Sequence, residues 1–230
     1  MDLSRALFLD TETTRHKEMD GLPVEVIELA QVKIGDPVIE VRRFRPQHGM
    51  SFGALAVHHI LPSDLEDQEP ADAAPGRVRQ ADFWIGHNID FDWKALGSPK
   101  GVRRICTLAI ARHIWPALDS HKLGAAAYFL HGATEATKST IVGAHNAAVD
   151  VNLVVNLLMG MLKLPQMKHL QTLEELYAFS ENARVPLIWT FGKFIGKPIA
   201  AADRGYAQWY RKLPDGDPYV LEALRRAGLL

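Results

Sequence analysis

Phe8-Leu9-Asp10-Thr11-Glu12-Thr13 (FLDTET) closes the first apolar run of the chain and carries two carboxylates into it. Residues 5–12 read as a strand. Residues two apart on a strand face the same side, so Asp10 and Glu12 project together while Leu9 and Thr11 face away. Two like charges on one half-buried face repel each other and are costly to take out of water. A cation between them offsets that cost, and magnesium or manganese, which prefer oxygen ligands, are its natural identity. The same two acids also fit a strand end frayed into solvent, and D-x-E by itself does not separate the two readings.

Outward from this strand, Glu25–Ile34 (EVIELAQVKI) and Val38–Phe44 (VIEVRRF) read as two more, joined by the turn formers Gly35-Asp36-Pro37 into a hairpin. Thr14–Pro23 (TRHKEMDGLP) is polar and reads as a loop. Phe52–Asp67 is expected to hold one or two short helices, and Glu69–Gly76 a surface connection. Phe83–Gly86 and Val102–Cys106 read as short buried strands. Helices are expected near Asp90–Leu96, Leu108–Ile114, Lys122–Leu130 and Asn146–Leu162, and another follows the capping-box pattern Thr172-Leu-Glu-Glu175. Trp189–Pro198 reads as a strand and tight turn, followed by helices around Tyr206–Leu213 and Tyr219–Ala227. Three strands in meander order, then strands alternating with helices, predict an α/β fold with a mixed sheet flanked by helices, compatible with a ribonuclease H-like arrangement.

Further carboxylates fall at comparable places. Gly86–Trp93 (GHNIDFDW) sets Asp92 at the start of a helix just after a buried strand. Gly143–Val151 (GAHNAAVDV) sets Asp150 at the start of the longest predicted helix, in line with Leu153, Val154, Leu157 and Met161. Either aspartate also fits a helix cap. His145 lies five positions before Asp150, a rotation of about 140° on a regular helix. The two converge only if His145 sits on the loop before the helix, where a neutral imidazole takes a proton from water near neutral pH.

Taken in order, D-x-E (Asp10, Glu12), H-N-x-x-F-D (His87, Asn88, Phe91, Asp92) and H-x-A-x-x-D (His145, Ala147, Asp150) resemble the DEDDh branch of the DnaQ-like 3′-5′ exonucleases, over roughly residues 5–163. Ile105–Pro116 and Thr190–Lys197 with the following GYAQWY are similar to the exodeoxyribonuclease X group of that family and its C-terminal extension. The resemblance implies hydrolysis of phosphodiester bonds from DNA 3′ ends, single- or double-stranded, by a two-metal-ion mechanism. It implies two divalent ions (Mg2+ or Mn2+) held by Asp10, Glu12, Asp92 and Asp150, with His145 as general base. The extra acid Asp90 is expected to cap its helix. Thr11, Thr13, Val57, His58, His87, Asn88 and Phe91 are implied as substrate-binding residues, Val57 and His58 through the segment Leu55–Ile60 (LAVHHI). RNA is the alternative substrate within the same chemistry, and a catalytically silent nucleic-acid-binding module the alternative outside it. Where the family pattern has glycine after D-x-E-T-x, this chain has Arg15, and the loop that follows is longer.

The 230-residue chain carries a net charge of −1, against a generally basic nucleic-acid coat. Residues 184–230 nevertheless hold eight Lys/Arg against four Asp/Glu. The lone cysteine, Cys106, precludes an intrachain disulfide and favours a reducing, cytoplasmic location. No apolar leader or membrane-length apolar run is apparent, so no membrane partner is expected; oligomeric state is not legible. The expected organisation is an exonuclease domain over 1–165, a linker and helix over 166–185, and a small C-terminal module over 186–230. In that module GKFIGK is not a P-loop, having three residues between its glycines where four are required. Phe194, Tyr206, Trp209 and Tyr210 are expected to be its core, with phosphate contact by Lys193, Lys197, Arg204, Arg211 and Lys212 left open.

Overall fold

The computed structural model describes residues 1–142 and 146–230. They divide into two compact units, Met1–Ala178 and Phe179–Leu230. In the first unit the strands are β1 (Ala6–Thr13), β2 (Val26–Val32), β3 (Glu40–Arg45), β4 (Glu69–Pro70), β5 (Phe83–Gly86) and β6 (Arg103–Cys106). The described residues form one six-stranded sheet in the order β4-β3-β2-β1-β5-β6. β1–β2 and β2–β3 are antiparallel, whereas β1–β5 and β5–β6 are parallel. This is the mixed α/β sheet of the ribonuclease H-like arrangement.

Helices α1 (Phe52–His58), α2 (Ile89–Ala95), α3 (Thr107–Ile114), α4 (Leu123–His131), α5 (Glu135–Ile141) and α6 (Ala147–Met161) follow, with α7 (Leu173–Ala183) after them. α5 was not foreseen: its sequence EATKSTI lacks an apolar stripe, and its start is set by Thr134, whose side chain accepts from the Thr137 N–H. Residues 69–77, expected as a plain surface connection, form the two-residue β4 and a 3-10 helix. Asp36 stops the hairpin turn by accepting from the Lys33 N–H at 2.7 Å.

β1 and β5 are buried along nearly their whole length because the sheet is covered on both faces here. Phe8, Leu9, Ile85, Val154 and Leu157 are among the fully enclosed side chains. Every residue of β2 is buried too, including Glu28 and Gln31. Gln31 is satisfied by the backbone of the following segment, donating to Arg77 O and accepting from the Arg79 N–H. α6 packs across β1 and β2 and thereby sets its N-terminal turn over the far end of β1.

The second unit contains α8 (Arg204–Arg211), α9 (Pro218–Arg226) and the turn that precedes them. Trp189–Pro198 is no strand. Its extended content is one bridge, Ile188 to Pro198, around a 3-10 helix at Gly192–Phe194. The segment wraps around the Trp189 ring, which is 1% exposed and meets Phe191, Phe194, Tyr206 and Tyr210 edge-on or tilted. Gly192 is required here: its φ is +70°, and a Cβ would collide with the Tyr206 hydroxyl. Among the described residues no helix is long and apolar enough to cross a membrane.

Gly86 ends β5 beside the crevice described below. A methyl group there would lie 2.8 Å from Ile89 Cδ1 and 3.1 Å from the Leu9 carbonyl oxygen, both fixed in the core. Gly86→Ala is therefore expected to cost about 1–3 kcal/mol of stability, read as a lower denaturant midpoint with unchanged m value.

Candidate active site

β5 ends at Gly86, opposite the early part of β1, so β1 runs on for several residues with that edge unpaired by a strand. The crevice at the carboxyl ends of these two parallel strands is where open α/β sheets place ligands. Asp10 and Glu12 project from β1 into it, and Asp150 enters from the first turn of α6. Each of the three offers a carboxylate oxygen, and these oxygens all lie within 4.8 Å of one another. The α6 N-terminus that delivers Asp150 is capped by Asn146, which accepts from the Ala148 N–H at 3.1 Å, and its dipole favours a negative charge there.

Asp92 arrives differently. It stands on α2 at the unpaired edge of β1, where its Oδ1 accepts from the Thr11 N–H at 2.9 Å and the Thr11 hydroxyl at 2.7 Å. Asp92 substitutes for the missing strand. Only Oδ2 is left to face the other acids. The structure thus gathers three of the four foreseen carboxylates at one point and sets the fourth beside them with half its valence committed.

These groups pay electrostatically for their proximity. Burial, then Asp92, Asp150 and Glu12, push the Asp10 carboxyl well above the usual range. Burial, then Asp150, Glu28 and Asp92, push Glu12 up to about 8. Burial raises Asp92 to about 7 against the lowering effect of its Thr11 hydrogen bonds. Among the described residues no Lys or Arg forms an ion pair with Asp10, Glu12 or Asp92.

Glu28 is a further carboxylate that sequence reasoning passed over. It lies directly opposite Glu12 in the β1–β2 register and is 1% exposed. Arg43 donates to its Oε2 at 2.8 Å, and the Ala147 N–H, at the first position of α6, donates to its Oε1 at 3.2 Å. Glu28 therefore ties the sheet to the helix that carries Asp150. The available signal was a lone acid inside an otherwise uncharged, fully buried strand, VIELAQV.

The remaining candidates sort by what they touch. His145 lies outside the described residues. Val57 and His58 end α1; His58 is buried, and burial holds its imidazole below the ordinary value. Its Nδ1 accepts from the Ile60 N–H at 2.9 Å, so Nε2 carries the hydrogen, and that buried donor has no partner. His87 uses both nitrogens within the fold, meeting Thr107 Oγ1 at 3.0 Å and the His121 carbonyl at 2.9 Å. Burial lowers it to about 4, so it is neutral near pH 7. Asn88, in the left-handed region with φ +72°, starts α2 without a side-chain cap bond, and Phe91 is partly buried on that helix. Thr13 donates to the Arg15 carbonyl at 3.0 Å. Asp90 does not cap α2 as expected; it sits one position inside the helix and pairs with Arg104 at 2.7 Å. Arg15, in place of the glycine, is buried and donates through Nη2 to the Gly49 carbonyl.

No family model matches the sequence, and no curated protein matches it. Solved structures do. One is Exonuclease X in complex with 5′ overhanging duplex DNA, with TM-score 0.61 and 22% identity over 76% of this chain and 99% of that one. Another is E. coli Exonuclease I in complex with a dT13 oligonucleotide, with TM-score 0.52 and 18% identity over 71% of this chain and 42% of that one. A further exonuclease I structure gives TM-score 0.56 and 14% identity over 98% of this chain and 67% of that one. The chain shares the fold of these exonuclease structures.

In this fold the three converging carboxylates are hard oxygen donors, and neither Asp10 nor Glu12 has a basic side chain as ion-pair partner among the described residues. That donor set fits a divalent cation such as Mg2+ or Mn2+. The raised carboxyl groups also fix a sign. Between about pH 4, where carboxyls of the unfolded chain lose their protons, and about pH 8, where Glu12 does so in the folded state, Glu12 holds a proton in the native protein that the unfolded chain has lost. Its contribution to the stability of the metal-free protein therefore falls as pH rises through this window. Glu12→Gln is expected to flatten that slope, raising the melting temperature in EDTA at pH 8 and changing it little at pH 5. Differential scanning calorimetry across the range checks both statements.

Proposed function

We propose that the protein is a metal-dependent 3′→5′ exodeoxyribonuclease that hydrolyses DNA phosphodiester bonds from the 3′ end and releases nucleoside monophosphates. The observation that carries this reading is the convergence of Asp10, Glu12 and Asp150 at the carboxyl end of β1, in a fold shared with exonucleases X and I. Exonuclease X and E. coli exonuclease I, which have that fold, are seen in complex with DNA, which favours DNA as the substrate here. On this reading the catalytic domain covers residues 1–165, and the residues from 186 onward form an accessory module.

Asp10, Glu12 and Asp150, with Asp92 through Oδ2, are assigned to hold two divalent ions, Mg2+ or Mn2+. Bound in such a site, the ions supply an acidified water and charge stabilisation at the leaving 3′ oxygen. The residues of the chain do the rest. Asp92 is held by both donors of Thr11 through Oδ1, and its Oδ2 takes no part in those bonds. Glu28 holds the first turn of α6, so Asp150 keeps its position relative to Asp10. His145, one residue before the Asn146 cap, is assigned to take the proton from the attacking water. The Nε2–H of His58, a buried donor in want of an acceptor, suits an oxygen of the terminal nucleotide, with Val57 beside it against the sugar or base. Thr13 and Phe91 are assigned to border the same crevice.

Oligonucleotides labelled at either end, single- and double-stranded, DNA and RNA, test the assignment with Mg2+ present. DNA labelled at the 3′ end is expected to release labelled mononucleotide first, and 5′-labelled DNA to shorten progressively. Asp10→Ala and Asp150→Ala are expected to fall to background with the fold retained. His145→Ala is expected to slow turnover about 10²–10⁴-fold. Near-wild-type turnover by either aspartate variant, or release of the 5′ label first, overturns the reading.

A further inference from the structure

The second unit sorts its aromatic residues in a way the sequence did not announce. Trp189, Phe194 and Tyr210 are buried, as a core requires. Trp209 is 51% exposed. It belongs to a row of rings: Phe194 meets Tyr206 at 5.0 Å between centroids, and Tyr206 meets Trp209 at 5.0 Å with 37° between planes. The row is anchored in the core at Phe194 and emerges into solvent at Trp209. Gly205 precedes Trp209 by four positions on α8, where the indole lies over the preceding turn, and contributes no side chain to cover it.

Cations stand at both ends of the row. Lys197 lies 6.0 Å from the Phe194 centroid, and Lys212 follows Trp209 by three positions, one turn along the helix. Lys193 also reaches the Phe194 ring but is neutralised by Asp203 at 3.6 Å. Among the described residues Lys197, Arg204, Arg211 and Lys212 form no ion pair, whereas Arg184, Arg225 and Arg226 of the same unit each pair with a glutamate. Two of these uncompensated charges, Lys197 and Lys212, stand beside the aromatic row.

A half-exposed indole flanked by uncompensated ammonium groups matches what single-stranded nucleic acid presents: flat apolar bases joined by anionic phosphates. A second copy of this chain does not match, because it would bring like charges face to face. The geometry points to the Trp209 face as a binding surface for single-stranded DNA, with a base stacked on the indole and phosphates against Lys197 and Lys212. The choice of DNA over RNA rests on the reading of the first unit given above; the surface itself does not.

The test measures binding of the full chain to a fluorescent dT oligonucleotide by anisotropy in EDTA, so that the readout is independent of hydrolysis. Trp209→Ala is expected to weaken binding about tenfold, as loss of one base–aromatic stack does, and Trp209→Phe to retain most of the affinity. The double variant Lys197→Glu, Lys212→Glu is expected to lower the slope of log Kd against log salt by about 1.4, since two phosphate contacts on a single strand contribute about 0.7 each. Circular dichroism melts of the variants are expected to overlay wild type, since all three side chains are solvent-exposed. A wild-type chain that hydrolyses no DNA but loses binding in Trp209→Ala supports this surface while overturning the exonuclease reading. Wild-type affinity and salt slope in all the variants overturn the surface. Unchanged DNA affinity with loss of a dimer in Trp209→Ala, seen by sedimentation, overturns it in favour of a contact between copies. Tighter binding of an rU than a dT oligomer overturns the choice of DNA.

Discussion

Mutual repulsion between Asp10, Glu12 and Asp150 is the constraint around which the first unit is organised. A core strand does not tolerate paired charges without compensation, yet here the chain spends its central strand on them. The surrounding acids show that the fold can neutralise a carboxylate when its position requires it. Glu28, on the same face as Glu12, is held by Arg43 and by the first N–H of α6. Asp92 is held by both donors of Thr11. Asp10 and Glu12 receive no comparable partner among the described residues, and their carboxyl groups are pushed upward accordingly. The unfavourable charge is confined to the point that a cation would fill, and the neighbours that define that point are locked.

This division of labour explains what was legible in the sequence. The i, i+2 spacing of Asp10 and Glu12 translates directly into a shared face, because strand geometry has only one way to place them. Asp150 was legible for a similar reason: it falls in line with the apolar stripe of α6, so the packing of that helix carries it to β1. Asp92 was legible as an acid at a helix start but not as the ligand of the Thr11 backbone. That contact depends on β5 being shorter than β1, a property of two distant segments compared in space. Glu28 was hidden because a charge within a predicted strand is ordinarily assigned to the solvent face. Its burial follows only from the register of β2 against β1, with α6 above. His145, the sharpest expectation from the motif, lies outside the described residues.

The second unit shows the opposite limit. Its sequence WTFGKFIGKP alternates apolar and polar residues weakly enough to pass for a strand and turn, but its glycines at positive φ and the demand of Trp189 for enclosure turn it into a wrapped loop. The expectation of an aromatic core holds for Phe194 and Tyr210 and fails for Trp209, because α8 has only one buried side. Ala207 and Tyr210 occupy that side. Trp209 lies on the other, and no periodicity rule assigns it a partner.

Arg15 has a local physical account as well. A glycine at this position would allow φ values that other residues avoid. In this protein Arg15 is not among the residues of positive φ, and the left-handed pair occurs further on, at Asp20 and Gly21, with φ of 56° and 72°. Met19 and Leu22 bridge across that pair, so the segment closes as a two-residue hairpin turn of the kind that Asp-Gly favours. Position 15 carries a long side chain inward, where its guanidinium meets the Gly49 carbonyl. Thr14 adds a second tie by accepting from the Ser51 N–H, and Glu25 a third through the Gln47 and His48 N–H groups. All three reach the segment that leads into α1 and His58. These contacts tie the chain on either side of that turn to the segment that leads into α1.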